Sequence, residues 1–228
     1  LRRDFTINSI YSDSEGNLFD PFNGKSDLKN GFVNFIGDPD QRIKEDYLRI
    51  LRYLRFYLNY SKKKHDIDVI KKIKMNIHGI SKLSKERLLN ELKKIAKLNT
   101  LEKLSQDKIS SEIFLMVFPE LKNLKFFSKL SPYKKEILDE FDFIFLIILL
   151  IIDGTDNADY FLYKFNISKE DKKRIKILDN FYKNETNPKI FSENNLNKFF
   201  YFDGKQAVID ILNFKIFRSK NLDIRLKK

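Results

Sequence analysis

The chain has 228 residues, 42% of them apolar and 33% charged, which is enough for one large or two modest domains with a sizeable core. Its formal net charge of +12 favours a polyanionic partner such as RNA, DNA or an anionic membrane surface. The sequence has no cysteine and two histidines, which excludes disulfides, thiolate metal sites and a histidine metal cluster. This composition fits a reducing compartment, and we expect a cytoplasmic protein.

The first 36 residues predict short β structure. Apolar and polar residues alternate at the start, as in a half-buried strand, and Gly and Asn mark a turn behind it. The predicted elements are a strand at 5–12, a turn at 13–17, a strand at 18–20, one helical turn at 26–30 and an edge strand at 32–36. Leu1 stands where a complete chain would carry Met, so we expect a fragment whose beginning lies upstream.

Beyond the break at Gly37-Asp38-Pro39, the pattern predicts helices almost throughout. The predicted spans are 44–60, 66–76, 84–98, 100–107, 111–117, 132–152, 157–165, 169–184, 194–202 and 204–217. Asp66, Ser84 and Ser131 are predicted N-caps. The apolar run at 143–152 is too short to span a bilayer, which needs about 20 residues. We expect no membrane span. The basic residues at 214–228 indicate either an RNA-facing tail or a frayed end.

One predicted helix carries a stripe of charge. The stripe consists of Glu45, Asp46, Arg49, Arg52 and Arg55. On a helical wheel the apolar residues of the same segment fall in a separate arc that can face a core. A second cluster, Arg2-Arg3-Asp4, opens a chain that otherwise uses mostly lysine for positive charge. Guanidinium groups suit planar, bidentate recognition of a phosphate or a base edge, whereas the alternative is a solvated helix face.

Asp46 and Arg49 can be read as an acceptor beside a donor, one helical turn apart. Cytosine and adenine both show an exocyclic amine next to an unprotonated ring nitrogen, and guanine and uracil reverse that order. A carboxylate that accepts from the amine and a guanidinium that donates to the ring nitrogen would therefore select C and A. The alternative is that the two side chains only pair with each other.

Four ordered strings resemble successive motifs of the class II CCA-adding enzymes, which are tRNA nucleotidyltransferases, and of the related bacterial poly(A) polymerases. The strings are LRRDFTINSI, LFDPFNGKSDLKNG, FIGDPDQRIKEDYLRILRYLRFY and GISKLSKERLLNELKKI. They cover about residues 1–98. FPEL at 118–121 resembles the helical body of the family more weakly.

The resemblance implies a role for each of six nucleotide-binding residues. Arg3 would contact the triphosphate, and Asp4 would position the ribose and the templating arginine. Asp46 and Arg49 would read the base edge, as an amino-acid template. Arg52 and Arg55 match further nucleotide-binding arginines of the family.

The resemblance also implies supporting residues. Asp20, Gly24, Asp27 and Leu28 match a flexible, spring-like connection. Arg87 and Glu91 match a motif that supports the template helix, and their spacing of four suits an ion pair between them.

The implied fold is α+β and mostly α, with the end of a nucleotidyltransferase head at 1–36, a helical neck at 37–98 and a helical, tRNA-binding body at 99–228. The Gly-Gly loop and Asp-x-Asp motif that bind divalent metal in the family are absent. Asp38-Pro39-Asp40 and Asp66-Ile67-Asp68 look unrelated to that motif, and Asp66 is expected to cap a helix. We therefore expect no catalytic residue and no metal ligand in this chain, and no catalysis by it alone.

The leading interpretation is a fragment of an enzyme that adds CCA to tRNA 3′ ends from CTP and ATP, with Mg²⁺ bound by the missing head. The alternatives are a poly(A) polymerase, a non-catalytic helical RNA-binding protein and a generic basic DNA-binding protein. The partners would be tRNA and the two nucleotides. The oligomeric state is not readable from the sequence.

Overall fold

The computed structural model describes residues 3–184 and 193–218, which divide into two compact units. The first unit holds the described residues up to Ile95 together with Asp107–Val117, and the second holds Ala96–Gln106 and the described residues from Phe118 onward. The mostly helical α+β class is confirmed, while the domain limits at 36 and 98 stay predictions. Arg2 and residues 219–228 of the predicted basic tail lie outside the described residues.

The N-terminal segment contains less β structure than its alternating pattern predicts. The hairpin is confirmed, with strands β1 (Tyr11–Ser12) and β2 (Leu18–Phe19) paired antiparallel. The predicted strand at 5–12 is wrong over its first half, where Thr6–Asn8 form a 3₁₀ turn. Phe5 N–H donates to the Asn8 side chain, so local side-chain bonds replace strand pairing there. The predicted edge strand at 32–36 reduces to one bridge between Phe5 and Phe35.

Helix α1 (Gly24–Asn30) packs closely on the 3₁₀ turn. It ends, as predicted, at Gly31, whose φ of 74° favours glycine. A Cβ atom added at Gly24 would lie 2.2 Å from the carbonyl oxygen of Thr6. The helix therefore reaches this position only because residue 24 lacks a side chain.

We expect Gly24→Ala to lower the free energy of unfolding by about 1–3 kcal/mol, because relieving the clash requires the backbone of residue 6 to move. Chemical denaturation of the variant measures the loss. Ser26→Ala, at an exposed position of the same helix, is the control and should change stability by less than about 0.5 kcal/mol. Equal stability of the two variants would contradict the close approach.

The other helices of the first unit are α2 (Pro39–Glu45), α3 (Arg49–Tyr60), α4 (Ile67–Asn76), α5 (Lys85–Ile95) and α7 (Lys108–Val117). The single predicted helix at 44–60 is wrong, because the backbone is extended at Asp46, with φ −156° and ψ 103°. The Asp46 side chain accepts a hydrogen bond from Leu48 N–H at 3.1 Å, and its carbonyl accepts from Arg49 N–H at 3.0 Å. Aspartate thus satisfies the amides that open α3 and separates it from α2.

The core of the first unit lies against the predicted apolar face of α3. Ile50, Leu51, Leu54 and Leu58 are buried, as the helical wheel predicted. Phe5 is fully buried on the same helix, with its ring centroid 5.1 Å from that of Phe56. This packing holds the N-terminal segment on α3 and leaves the charged positions of the helix outside the core.

The second unit contains α6 (Leu98–Gln106), α8 (Pro132–Asp139), α9 (Phe143–Ile151), α10 (Asn157–Lys164), α11 (Lys169–Lys183), α12 (Glu193–Asp203) and α13 (Lys205–Arg218). The predicted helix at 132–152 is two helices, because Asp142 accepts a hydrogen bond from Phe145 N–H at 2.8 Å and starts α9 anew. Helix α9 is buried from Ile144 to Ile151. Among the described residues, no helix is both long and apolar enough to cross a membrane.

Candidate nucleotide-binding site

Asp4 and Arg52 join the N-terminal segment to α3. Arg52 donates from Nε and from a terminal nitrogen to the two oxygens of Asp4, the second bond measuring 2.9 Å. Burial alone would raise the pKa of Asp4, but hydrogen bonds from Arg52 and Asn8 outweigh it and hold the pKa below its ordinary value. The pair is therefore an ionised, bidentate contact. Asp4 thus contacts Arg52 and not Arg49, the arginine that it was expected to position.

Arg3 is tethered through its backbone. Its carbonyl oxygen accepts a hydrogen bond of 2.6 Å from Arg42, a buried residue of α2. The Arg3 guanidinium lies 5.8 Å from the ring centroid of Tyr11 and forms no ion pair with any described residue. The position of Arg3 is thus fixed while its charge is available to an anion.

Arg49 is held by the end of α2. One of its terminal nitrogens donates to Glu45 and to the carbonyl oxygen of Arg42, each at 2.6 Å. Glu45 also accepts a hydrogen bond from Arg42. From the sequence, Glu45 belonged to the charged stripe without an assigned role, and Arg42 was not a candidate residue. Arg42 and Glu45 are three residues apart, and Glu45 and Arg49 are four apart. These spacings could have indicated that the three side chains interact.

Asp46 is held by a different partner, Arg87 of α5, whose terminal nitrogen lies 2.8 Å from Oδ2. Asp46 and Arg49 are therefore each held by another side chain. They do not lie one turn apart within a single helix, and their side chains do not pair with each other.

The expected ion pair between Arg87 and Glu91 is also wrong. Glu91 is 1% exposed and accepts from Arg55 at 2.5 Å and from Lys94 at 3.1 Å. Arg87 thus joins α5 to Asp46, and Glu91 joins α5 to Arg55 of α3.

The predicted spring residues stabilise α1. Asp20 accepts from the N–H groups of Gly24 and Lys25 at 2.7 and 2.8 Å. Asp27 accepts from the Thr6 hydroxyl at 2.6 Å. Leu28 is 41% exposed. These contacts anchor α1, and a spring-like movement of this segment stays a prediction.

The two Asp-x-Asp strings serve the helices. Asp38 accepts from Gln41 N–H at 2.9 Å, and Asp66 accepts from Asp68 N–H at 2.8 Å, so the predicted cap at Asp66 is confirmed. Within residues 3–184 and 193–218, no three metal-ligating side chains come together.

His65 has a buried side chain in the first unit. Its side chain is 2% exposed, and its ring stacks on Tyr57 with centroids 3.5 Å apart. The two ring nitrogens bond the Tyr53 hydroxyl at 3.1 Å and Asp107 at 3.0 Å. Burial lowers the pKa of His65, against the opposing effect of Asp107. His78 is exposed.

We expect the first unit to lose stability as the pH falls through 6.5, the ordinary value for histidine. The unfolded chain then binds a proton that folded His65, with its lowered pKa, does not yet bind. Urea denaturation from neutral to acidic pH measures this slope. His65→Gln should flatten it, whereas the control His78→Gln should keep it. An unchanged slope in His65→Gln would exclude the assignment.

Solved structures share the fold of this chain. A crystal structure of the Bacillus stearothermophilus CCA-adding enzyme in complex with CTP covers 95% of this chain and 53% of its own, with a TM-score of 0.63 and 18% identity. A tRNA-processing enzyme in an apo form covers 99% of this chain and 68% of its own, with a TM-score of 0.70 and 23% identity. At these identities the likeness establishes the fold alone, and the chain has the mostly helical α+β fold found in these enzymes.

Sequence comparison finds similar proteins. Residues 1–34 match the family described as Poly A polymerase head domain. The CCA-adding enzyme of Staphylococcus haemolyticus (strain JCSC1435) is 32% identical over 92% of this chain and 50% of its own length. The mitochondrial CCA tRNA nucleotidyltransferase 1 of Homo sapiens is 52% identical over 41% of this chain and 22% of its own. The chain is thus similar to CCA-adding enzymes over most of its length and to the Poly A polymerase head domain at its start, and it spans half or less of these two relatives.

Proposed function

We propose that this chain is part of an enzyme that adds CCA to the 3′ ends of tRNA from CTP and ATP. The observation that carries the proposal is the separate fastening of Asp46 by Arg87 and of Arg49 by Glu45. An acceptor and a donor, three residues apart, are each oriented by a partner outside the pair. Such an arrangement suits recognition of a third group.

Both side chains keep hydrogen-bonding capacity. A carboxylate has about four acceptor sites, and the Asp46 carboxylate accepts hydrogen bonds from Leu48 N–H and from Arg87. A guanidinium has five N–H donors, and the contacts of Arg49 involve one terminal nitrogen. The remaining sites can accept from the amine and donate to the ring nitrogen of cytosine or adenine. Guanine and uracil would present a donor to Arg49 and an acceptor to Asp46.

The arginines around this pair divide into two groups. Arg3 has no carboxylate partner among the described residues and is the guanidinium best placed to bind the triphosphate. Arg52 and Arg55 already contact Asp4 and Glu91, so we assign them first to positioning α3 and second to the nucleotide through their remaining N–H groups.

The transfer step requires groups that the described residues do not supply. We propose that Mg²⁺ and its carboxylate ligands belong to a part of the enzyme other than residues 3–184 and 193–218, and that this chain is inactive by itself. When bound, the metal would neutralise charge on the triphosphate. We further propose a cytoplasmic enzyme whose RNA partner is the acceptor arm of tRNA, held mainly through its backbone.

Poly(A) polymerase is the second candidate, and the match of residues 1–34 to the Poly A polymerase head domain favours it. The length and composition of the product distinguish the two. The complete enzyme is supplied with a tRNA that lacks its 3′ CCA and with each nucleotide in turn. Addition of two C and one A supports CCA addition, and a long A tail supports poly(A) synthesis. Incorporation of U or G at the same rate would overturn both.

A further inference from the structure

Three consecutive lysines, Lys62, Lys63 and Lys64, lie on the loop between α3 and α4, which we call the lysine loop (residues 61–64). All three are exposed. None of them forms an ion pair with a described residue. Other side chains of residues 3–184 and 193–218 form sixteen ion pairs. The loop therefore concentrates uncompensated positive charge.

The lysine loop is held in place by its backbone. The N–H of Lys62 and the hydroxyl of Ser61 both donate to the carbonyl oxygen of Gly31 at 3.1 Å. The Tyr57 hydroxyl donates to the carbonyl oxygen of Lys63 at 2.9 Å. Buried His65 anchors the end of the loop. Fixed backbone geometry means that a ligand would not have to order this loop on binding.

A cleft of about 430 Å³ opens beside the loop. Phe32, Tyr57, Lys63 and Lys64 line it, and Lys63 Nζ lies 5.4 Å from the ring centroid of Phe32. Phe32 is 41% exposed. Two carboxylates, Asp27 and Asp66, also line the cleft. The Asp27 carboxylate accepts from Thr6 and Asn34, and the Asp66 carboxylate accepts from the N–H groups of the first turn of α4. The cleft thus combines an aromatic surface with two exposed cations.

An exposed ring next to lysines is the combination that binds single-stranded nucleic acid, with bases stacked on the ring and phosphates near the cations. Tyr57, at the wall of the cleft, is five residues from Arg52 on α3. At about 100° per residue it therefore faces roughly 140° away from that arginine. None of the six candidate nucleotide-binding residues lines the cleft, so the two sites share no lining residue.

We propose that this cleft is a second RNA contact, which holds phosphodiesters on Lys63 and Lys64 and an unpaired base against Phe32. The proposal rests on the proposed function, since it assumes that RNA is the substrate. It adds an RNA-binding surface to the first unit, built from residues other than those that select the nucleotide.

Binding of the 228-residue chain to labelled tRNA, to a short single-stranded RNA and to CTP, each at several salt concentrations, tests the proposal. Lys63→Gln/Lys64→Gln should weaken binding of both RNAs about tenfold and reduce the salt slope by about 1.4–1.8, the value expected for two lost phosphate contacts. The matched control is Lys103→Gln/Lys108→Gln, which removes the same charge from two exposed positions. RNA binding that falls equally in the two variants would overturn the proposal.

Phe32→Leu tests the aromatic surface. It should weaken binding of single-stranded RNA about fivefold or more, with the salt slope unchanged, because a stacking contact carries no charge. Unchanged binding would overturn the stacking contact. Loss of CTP binding in the lysine variant, with RNA binding intact, would assign the cleft to free nucleotide and overturn the RNA contact. Base selection by the complete enzyme is measured separately, so a failure here leaves the proposed function standing.

Discussion

Replacing Asp46 or Arg49 by alanine in the complete enzyme is expected to reduce the preference for CTP and ATP over UTP and GTP by about 5- to 150-fold, the range of one good bidentate base contact. The physical reason is that a wrong base leaves a buried donor or acceptor unpaired only while both template groups are present. Binding of tRNA should change by less than about twofold, since phosphate contacts dominate RNA affinity.

Competition between nucleotides in single-addition assays measures this preference. Arg49→Lys is an informative companion, because it keeps the charge but loses the planar donor fork, and it should lose selectivity nearly as far as Arg49→Ala. Asp68→Ala is the control. It removes an exposed carboxylate that contacts neither Asp46 nor Arg49, and it should leave the nucleotide preference unchanged. Retained base choice in both Asp46→Ala and Arg49→Ala would refute the amino-acid template.

Glu91→Ala is expected to lower the free energy of unfolding by about 3–5 kcal/mol, the usual loss when one partner of a buried ion pair is removed. Glu91 is 1% exposed, and the side chain of its partner Arg55 is 18% exposed. The substitution leaves this guanidinium without its carboxylate and removes a contact that joins α5 to α3. Glu91→Gln, which keeps the shape and one acceptor, should lose less.

Chemical denaturation of the chain measures both variants. The control is Glu112→Ala, because Glu112 also pairs with a lysine, at 2.7 Å, but is 51% exposed. An exposed pair is worth about 1 kcal/mol or less. Should Glu91→Ala cost no more than Glu112→Ala, the pair with Arg55 does not hold α5 to α3.

Much of the fold was predictable because local patterns determine it. The hairpin, the glycine at the end of α1, the apolar face of α3 and most helix spans follow from period, turn residues and caps. The errors fall where a single aspartate interrupts an otherwise helical pattern. Asp46 divides 44–60 and Asp142 divides 132–152, and in both cases the carboxylate accepts from a backbone N–H that a continuous helix would use differently.

The sequence by itself indicated the resemblance to a family, the residue types of the candidate site and the hydrogen-bond argument for selection of C and A. Glu45 and Arg49 are only four residues apart in the sequence, but they meet across the break at Asp46 and not along one helix. Tertiary structure alone decided the remaining partners. Asp4 meets Arg52 across 48 positions, Asp46 meets Arg87 across 41, and Arg55 meets Glu91 across 36. Arg52, for example, interacts through its charge with Asp4, Glu91 and Asp46. Only the packing of α3 against α5 and the N-terminal segment determines which one it contacts.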